Sequence, residues 1–420
     1  MSIPNLKSLR FFSDELKHKE LLRDYVQSAL YDSQRGYFTN PKNIQLGHLK
    51  SAIRFSSLLG YSDYIEQLSA NYPKHKFLTP SEIFRPYYGM TMASYVYKQQ
   101  KKHNIDKIKV VEIGSGIGGQ ADSFLMYFKN FEPDVYPYIE YTLLEISPTL
   151  LHKSKSTLYQ NHKEKCQRGE IKFVNQDAFK FKEDIGSDVF FMLFEILDNL
   201  PHDIVRFTSK LDKIEEMWIK SSLDRQTRQI AYEPCKDEYI VRCFELWKSL
   251  YVKNEKLLLN ENESEKQKFL ASLKDWLQSR MANDYQLSLP TGFYKLTEHI
   301  NNNFENPKFL LSDFSSLPNA RRYLNGSKCL NYPLLSTKLE KSEDHKDYED
   351  FEKAEFGRCD IFFETDFDLT KAILESFSEK YTVSTPKEFF KQFAKPKWAE
   401  TRSGYNPMKD DFLNTRFLHQ

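Results

Sequence analysis

The stretch VVEIGSGIGGQ ends an apolar run in Glu112 and then sets glycines at Gly114, Gly116 and Gly118. Glycine lacks a side chain and reaches unusual dihedrals cheaply, so such a loop lets a ligand approach the backbone. The helix expected next offers free N–H groups and positive potential at its N-terminus. On its own the spacing also suits a tight strand-to-helix turn with no ligand. Further acids follow at matching places. Glu145 closes the run YIEYTLLEIS, where doubly wound folds set an acid against ribose hydroxyls. Asp177, in NQDAF, is placed to accept a hydrogen bond from an adenine amino group, and Glu195 and Asp198 lie beyond the run VFFMLF in FEILDNLP. All these acids fall at expected strand carboxyl ends, where open α/β sheets bind ligands.

That pattern separates two ligands. A dinucleotide needs the helix terminus open for its pyrophosphate. S-adenosyl-L-methionine has no phosphate and carries a sulfonium and an ammonium group, so its pocket can be acidic. Glu112 would repel a pyrophosphate and suit an ammonium. The expected cofactor is therefore S-adenosyl-L-methionine, held by Glu112, Gly114, Gly116, Gly118, Glu145 at the ribose and Asp177 at the adenine. Glu195 and Asp198 are the expected catalytic pair. Three residues apart, they would face one substrate if the segment is a helical turn; Asp198 also reads as a turn residue ahead of Leu200 and Pro201. A guanidinium acceptor, with a pKa above about 12, needs a carboxylate to orient and partly neutralise it. His202, just beyond, reads either as a base or as an exposed histidine.

Bulk composition narrows the alternatives. The chain has 420 residues, 60 basic and 59 acidic, with formal net charge +1. Near-neutrality argues against non-specific nucleic-acid binding. Five scattered cysteines make no CxxC pair, so neither a metal site nor a disulfide framework is expected. No apolar run is long enough to span a membrane. Residues 1–12 contain Lys7, Arg10 and no acid. That is the composition of a short mitochondrial import segment, or equally of a frayed terminus.

The elements that must position these residues follow from periodicity. Residues 13–103 read as a helical region, with Leu16, Leu21, Leu22, Tyr25, Val26 and Leu30 near one helical face. In TPSEIF, Thr79 or Ser81 can cap a helix whose first turn holds Glu82. Residues 104–235 alternate near-continuous apolar runs with amphipathic segments, the mark of a doubly wound parallel sheet. DIVRF and EEMWIKSS are expected as later strands of that sheet. Residues 236–300 form a helical insertion, with KNEKLLLNENESEKQK as a solvated face or loop. Residues 301–420 complete the sheet and the substrate side. Within them the mixed-charge run 337–353 is expected to be an exposed loop.

The blocks LLRDYVQSALYDSQRGYF, FLTPSEIFRPYYG, VEIGSGIGG, LLEISPTL and FEILDNLPHD, in this order, resemble those of the MidA-like methyltransferases. LPTGFYKL, LLSDFSSLPNA, DIFFETDFDL and RSGYNPM are similar to blocks of the family's fungal mitochondrial branch. The resemblance runs from about residue 20 to the C-terminus. It implies a Rossmann-like class I methyltransferase sheet and S-adenosyl-L-methionine as cofactor, with Glu82 in a segment packed beside it. It also implies relatedness to the mitochondrial protein-arginine methyltransferase of complex I assembly. The implied substrate is a protein of the mitochondrial matrix. Three departures stand out: His75 and Lys76 stand where the family commonly has Gly-Asp, Ile117 replaces an arginine of the family's loop, and Asp313-Phe314-Ser315-Ser316 replaces Asp-Tyr-Gly-His. A chain that keeps the fold but serves as a catalytically silent assembly factor is the alternative these changes leave.

Overall fold

The computed structural model describes all residues except 1–15, 44–45, 74–75, 209–210, 212, 252–283, 319, 325–326, 339–344 and 379. The expected import segment and the whole KNEKLLLNENESEKQK segment lie outside the described residues. The chain forms two compact units, one made of residues 38–197, 296–315 and 374–420 and the other of the remainder.

The first unit is built on a seven-stranded sheet. Its strands are β1 (Ile108–Ile113), β2 (Ile139–Leu144), β3 (Ile171–Val174), β4 (Val189–Phe194), β5 (Lys308–Phe314), β6 (Thr382–Ser384) and β7 (Thr415–His419). Their spatial order is 3-2-1-4-5-7-6. Strands β1 to β5 are mutually parallel, and β7 enters antiparallel between β5 and β6. The parallel part departs from the dinucleotide-binding order 3-2-1-4-5-6 only by that inserted strand. In β4 every residue but Phe194 is buried, as expected of a strand covered on both faces. Helix α1 (Tyr87–His103) and helix α2 (Gly119–Phe131) pack on the sheet through Met92, Val96, Phe124 and Phe128, all essentially inaccessible to solvent. Helix α3 (Pro148–Asn161) follows β2, its N-terminus capped by the Ser147 side chain.

The second unit carries a separate, mainly antiparallel sheet. Asp203–Thr208 and Ile214–Ser221, which hold the runs DIVRF and EEMWIKSS, pair with each other there, not with the parallel sheet. Their burial alternates along much of each strand, the habit of antiparallel strands with one wet face. His18–Leu21 is an edge strand of this sheet, so the first helix begins only at Leu22. That helix, Leu22–Tyr31, buries Leu22, Tyr25, Val26 and Leu30 as its periodicity requires. Its Arg23 reaches a buried site where the guanidinium donates to Asp203 at 2.8 Å and pairs with Asp237. Part of the mixed-charge run is strand: Leu334–Lys338 pairs with His345–Tyr348 and with Asp360–Phe362.

Candidate active site

The glycine loop leaves β1 with Gly114, Gly116 and Gly118 at φ of +71°, +54° and +82°. Side chains are strained in that region, and contact adds to the strain: a Cβ at Gly118 would lie 2.9 Å from Ser154 and Leu158. Ile117 is buried, so this position of the loop points into the fold.

Glu145, just past β2, ties this loop down. Gly116 N–H donates to its Oε2 and Ser147 N–H to its Oε1, both at 2.9 Å. Burial raises this carboxyl to about 7, against the lowering pull of those two backbone donors. An ionised carboxylate offers about four acceptor positions, so these donors leave acceptor capacity for a ligand such as a ribose hydroxyl.

Glu112 behaves differently from the expectation that its charge repels a pyrophosphate. It is buried inside the sheet, and Tyr141 donates its hydroxyl to Oε2 at 2.7 Å. Burial pushes its carboxyl up to about 8, opposed by the Tyr141 hydrogen bond and reinforced by Glu145 and Glu82. At neutral pH Glu112 is therefore mostly uncharged. Tyr141 pairs in register with Val110, two residues before Glu112, so the contact is a cross-strand diagonal on one face.

Glu82 lies in the short helix Pro80–Ile83, which starts without a side-chain cap; Thr79 and Ser81 hydrogen-bond each other at 2.7 Å. Its carboxylate is buried. Oε2 sits 2.7 Å from His48 Nδ1, and Oε1 occupies the space beside Gly119, where a Cβ would come within 1.8 Å. Arg85 stands 3.9 Å from Glu82 and donates to Asp122, in the first turn of α2, at 2.5 Å. Burial opposes ionisation of Asp122, but hydrogen bonds from His162, Arg85 and Asn161 outweigh it and hold the carboxyl below its ordinary range.

At the tip of β4 stands Glu195. Its backbone is left-handed, φ +53°, a strained state for a residue with a side chain and one that gathers at functional sites. Its N–H donates to Ser312 O at 2.9 Å, yet side-chain Oε1 is shut off from solvent and has no hydrogen-bond partner among the described residues. Burial, then Asp313 and Glu82, raise its carboxyl well above the usual carboxylate range.

Asp198 does not share a helical turn with Glu195: residues 195–198 form no helix, and the left-handed Glu195 interrupts any such turn. Asp198 begins the stretch assigned to the other unit, where its carbonyl accepts the Phe363 N–H at 2.8 Å. Asp177 acts locally, its Oδ1 accepting Phe179 N–H at 3.1 Å to cap a short 3-10 turn. His202 is buried, not exposed. Its ring stacks on Phe363 at 4.1 Å, and burial lowers its pKa to about 4, which leaves it neutral.

Asp313, at the carboxyl end of β5, is a site residue that the reading of strand-end acids passed over. It accepts Leu197 N–H at 2.8 Å and Phe314 N–H at 2.7 Å and so clamps the Glu195 loop to β5. The same signal that marked Glu145 was present in KFLLSDF: an apolar run closing on an acid.

A sheet in the order 3-2-1-4-5-7-6, parallel but for β7, with a glycine loop after β1 and acids at the tips of β2, β4 and β5, defines the class I methyltransferase fold. Residues 91–383 match the family described as "Putative S-adenosyl-L-methionine-dependent methyltransferase", and the chain belongs to it. Its cofactor is accordingly S-adenosyl-L-methionine. The fold is similar to that of a COG1565 superfamily member from Burkholderia thailandensis bound to S-adenosyl-homocysteine. That likeness has TM-score 0.55 and 13% identity, over 100% of this chain and 95% of that one. The native structure of a COG1565 superfamily protein from the same organism is similar to the same degree, with TM-score 0.55, 13% identity and the same coverage. No curated protein matches the sequence.

Proposed function

We propose that this methyltransferase modifies an arginine side chain of a mitochondrial protein and that Glu195 is its catalytic carboxylate. The observation that carries the reading is the buried, unpartnered Oε1 of Glu195 at the tip of β4. A carboxyl in that setting gains little by ionising until a cation arrives to pair with it. A guanidinium is such a cation, and its planar N–H groups match a carboxylate.

The residues around the glycine loop fit the cofactor. Glu145 has acceptor capacity for a ribose hydroxyl, Asp177 is assigned to the adenine and Glu82 to the cationic end of the cofactor, while Glu112 backs the glycine loop from inside the sheet. When bound, S-adenosyl-L-methionine supplies an electrophilic methyl group. Glu195 holds an acceptor N–H, orients the nitrogen and takes the proton that the nitrogen sheds. Asp313 keeps the Glu195 loop in place through Leu197 N–H. Asp198 is assigned to the substrate. The block resemblance to the MidA-like family and its fungal mitochondrial branch supports the arginine acceptor and the matrix location. No helix among the described residues is long and apolar enough to cross a membrane.

Incubation with labelled methyl donor and mitochondrial extract tests the reading. One labelled band, carrying methylarginine after hydrolysis and absent with Glu195→Gln, is the expected result. Label on another residue type would overturn the arginine assignment. No label with any extract, despite cofactor binding, would favour the silent assembly factor.

A further inference from the structure

The N-terminus of α2 is the place where a dinucleotide fold receives its pyrophosphate, because backbone N–H groups and helix dipole converge there. In this protein a carboxylate stands beside that place. Glu82 Oε1 fills the space beside Gly119, the first residue of α2, so closely that a Cβ there would be 1.8 Å away. The carboxylate is anchored, not wandering: His48 Nδ1 lies 2.7 Å from Oε2, and Arg85 links Glu82 to Asp122 one turn into the helix. Glu112 cannot play the same part, being sequestered in the sheet on Tyr141. Glu82 also lies near enough to Glu112 and Glu195 to help raise both of their carboxyls, after burial.

We propose that Glu82 is the specificity-determining residue of the cofactor site: its carboxylate takes the anion position at the α2 N-terminus, refusing phosphate-bearing nucleotides and favouring a cationic nucleoside. Two effects act together. A phosphate would have to displace a side chain held by His48, and it would meet negative charge where other folds offer none. The sulfonium of S-adenosyl-L-methionine meets neither obstacle, and its positive charge is attracted.

Calorimetric titration of the full chain with S-adenosyl-L-methionine, S-adenosyl-homocysteine, ADP and NAD tests this. The wild type should bind the first two and give no heat with ADP or NAD at millimolar concentration. Glu82→Ala, which vacates the position, should bring ADP into the measurable range, at least tenfold tighter, while weakening S-adenosyl-L-methionine severalfold. Glu82→Gln keeps the volume and removes the charge, so it should weaken S-adenosyl-L-methionine more than S-adenosyl-homocysteine, which lacks the sulfonium. Gly119→Ala must push the carboxylate aside and should shift selectivity the same way, which keeps the test open should Glu82→Ala misfold. Unchanged preference for S-adenosyl-L-methionine over ADP in the variants, or ADP binding by the wild type as tight as S-adenosyl-homocysteine, would overturn the assignment.

Discussion

Replacing Glu112 by glutamine should make the protein more stable in alkaline solution while changing little in acid. In the folded state the Glu112 carboxyl titrates at about 8, against an ordinary value of 4.5. The folded state therefore keeps a proton that the unfolded chain has lost, and between these two values stability falls as pH rises. At 1.36 kcal/mol for each pH unit the penalty is about 2 kcal/mol near pH 6 and about 5 kcal/mol near pH 9. The side chain is almost fully buried, so solvent screening takes little away from these figures. Glutamine has no proton to lose and can still accept the Tyr141 hydroxyl through its amide oxygen. The variant should thus gain about 3 kcal/mol on wild type between the two pH values. Urea denaturation of both proteins near pH 6 and near pH 9 measures this difference. Other buried carboxyls titrate in both proteins and cancel in the comparison. Equal pH dependence in the two would refute the placement of a neutral Glu112 inside the sheet.

Glu195→Gln should lower the methylation rate by at least about 100-fold, the range of a lost general base, while calorimetry shows cofactor affinity within a few-fold of wild type. Gly118→Ala should destabilise the chain by about 1–2 kcal/mol for its left-handed φ alone and weaken cofactor binding, which a thermal-shift titration reads. Asp313→Ala strips two backbone N–H groups of their acceptor, costing about 1–3 kcal/mol for an unsatisfied buried donor, and kcat should fall with it. His202→Gln should leave the rate–pH profile around neutrality unchanged, because the wild-type ring, held down to about 4, does not titrate there.

Much of the parallel sheet was legible because buried parallel strands write themselves as unbroken apolar runs, and VFFMLF and IKVVEI did so. The left-handed glycines were legible for a similar reason, since few residues other than glycine adopt that backbone three times in five positions. Less visible was the partner of each strand. Asp203–Thr208 and Ile214–Ser221 carry enough apolar residues to pass for parallel strands, and only their alternation betrays the antiparallel sheet. The helical turn expected to carry both Glu195 and Asp198 failed on backbone conformation, for nothing in FEILDNLP announces a left-handed glutamate. Glu112 misled because its charge depends on a tyrosine brought opposite by strand register, and register is a property of the assembled sheet. The approach of Glu82 to Gly119 is likewise tertiary, although a fourth glycine, immediately after the third, left a trace of it.

The clamp between Leu197 and Asp313 joins residues 116 positions apart in sequence. During synthesis, β4 therefore waits as an open edge while the intervening chain is made, with its ladder of unpaired amides and carbonyls available to the wrong neighbour. Only the arrival of β5 seals that edge, and the same event brings Asp313 to the loop it restrains. A nascent chain halted before β5 would lack that restraint and keep the edge open to association, a hazard that comes with building one loop's support from two distant passages of sequence.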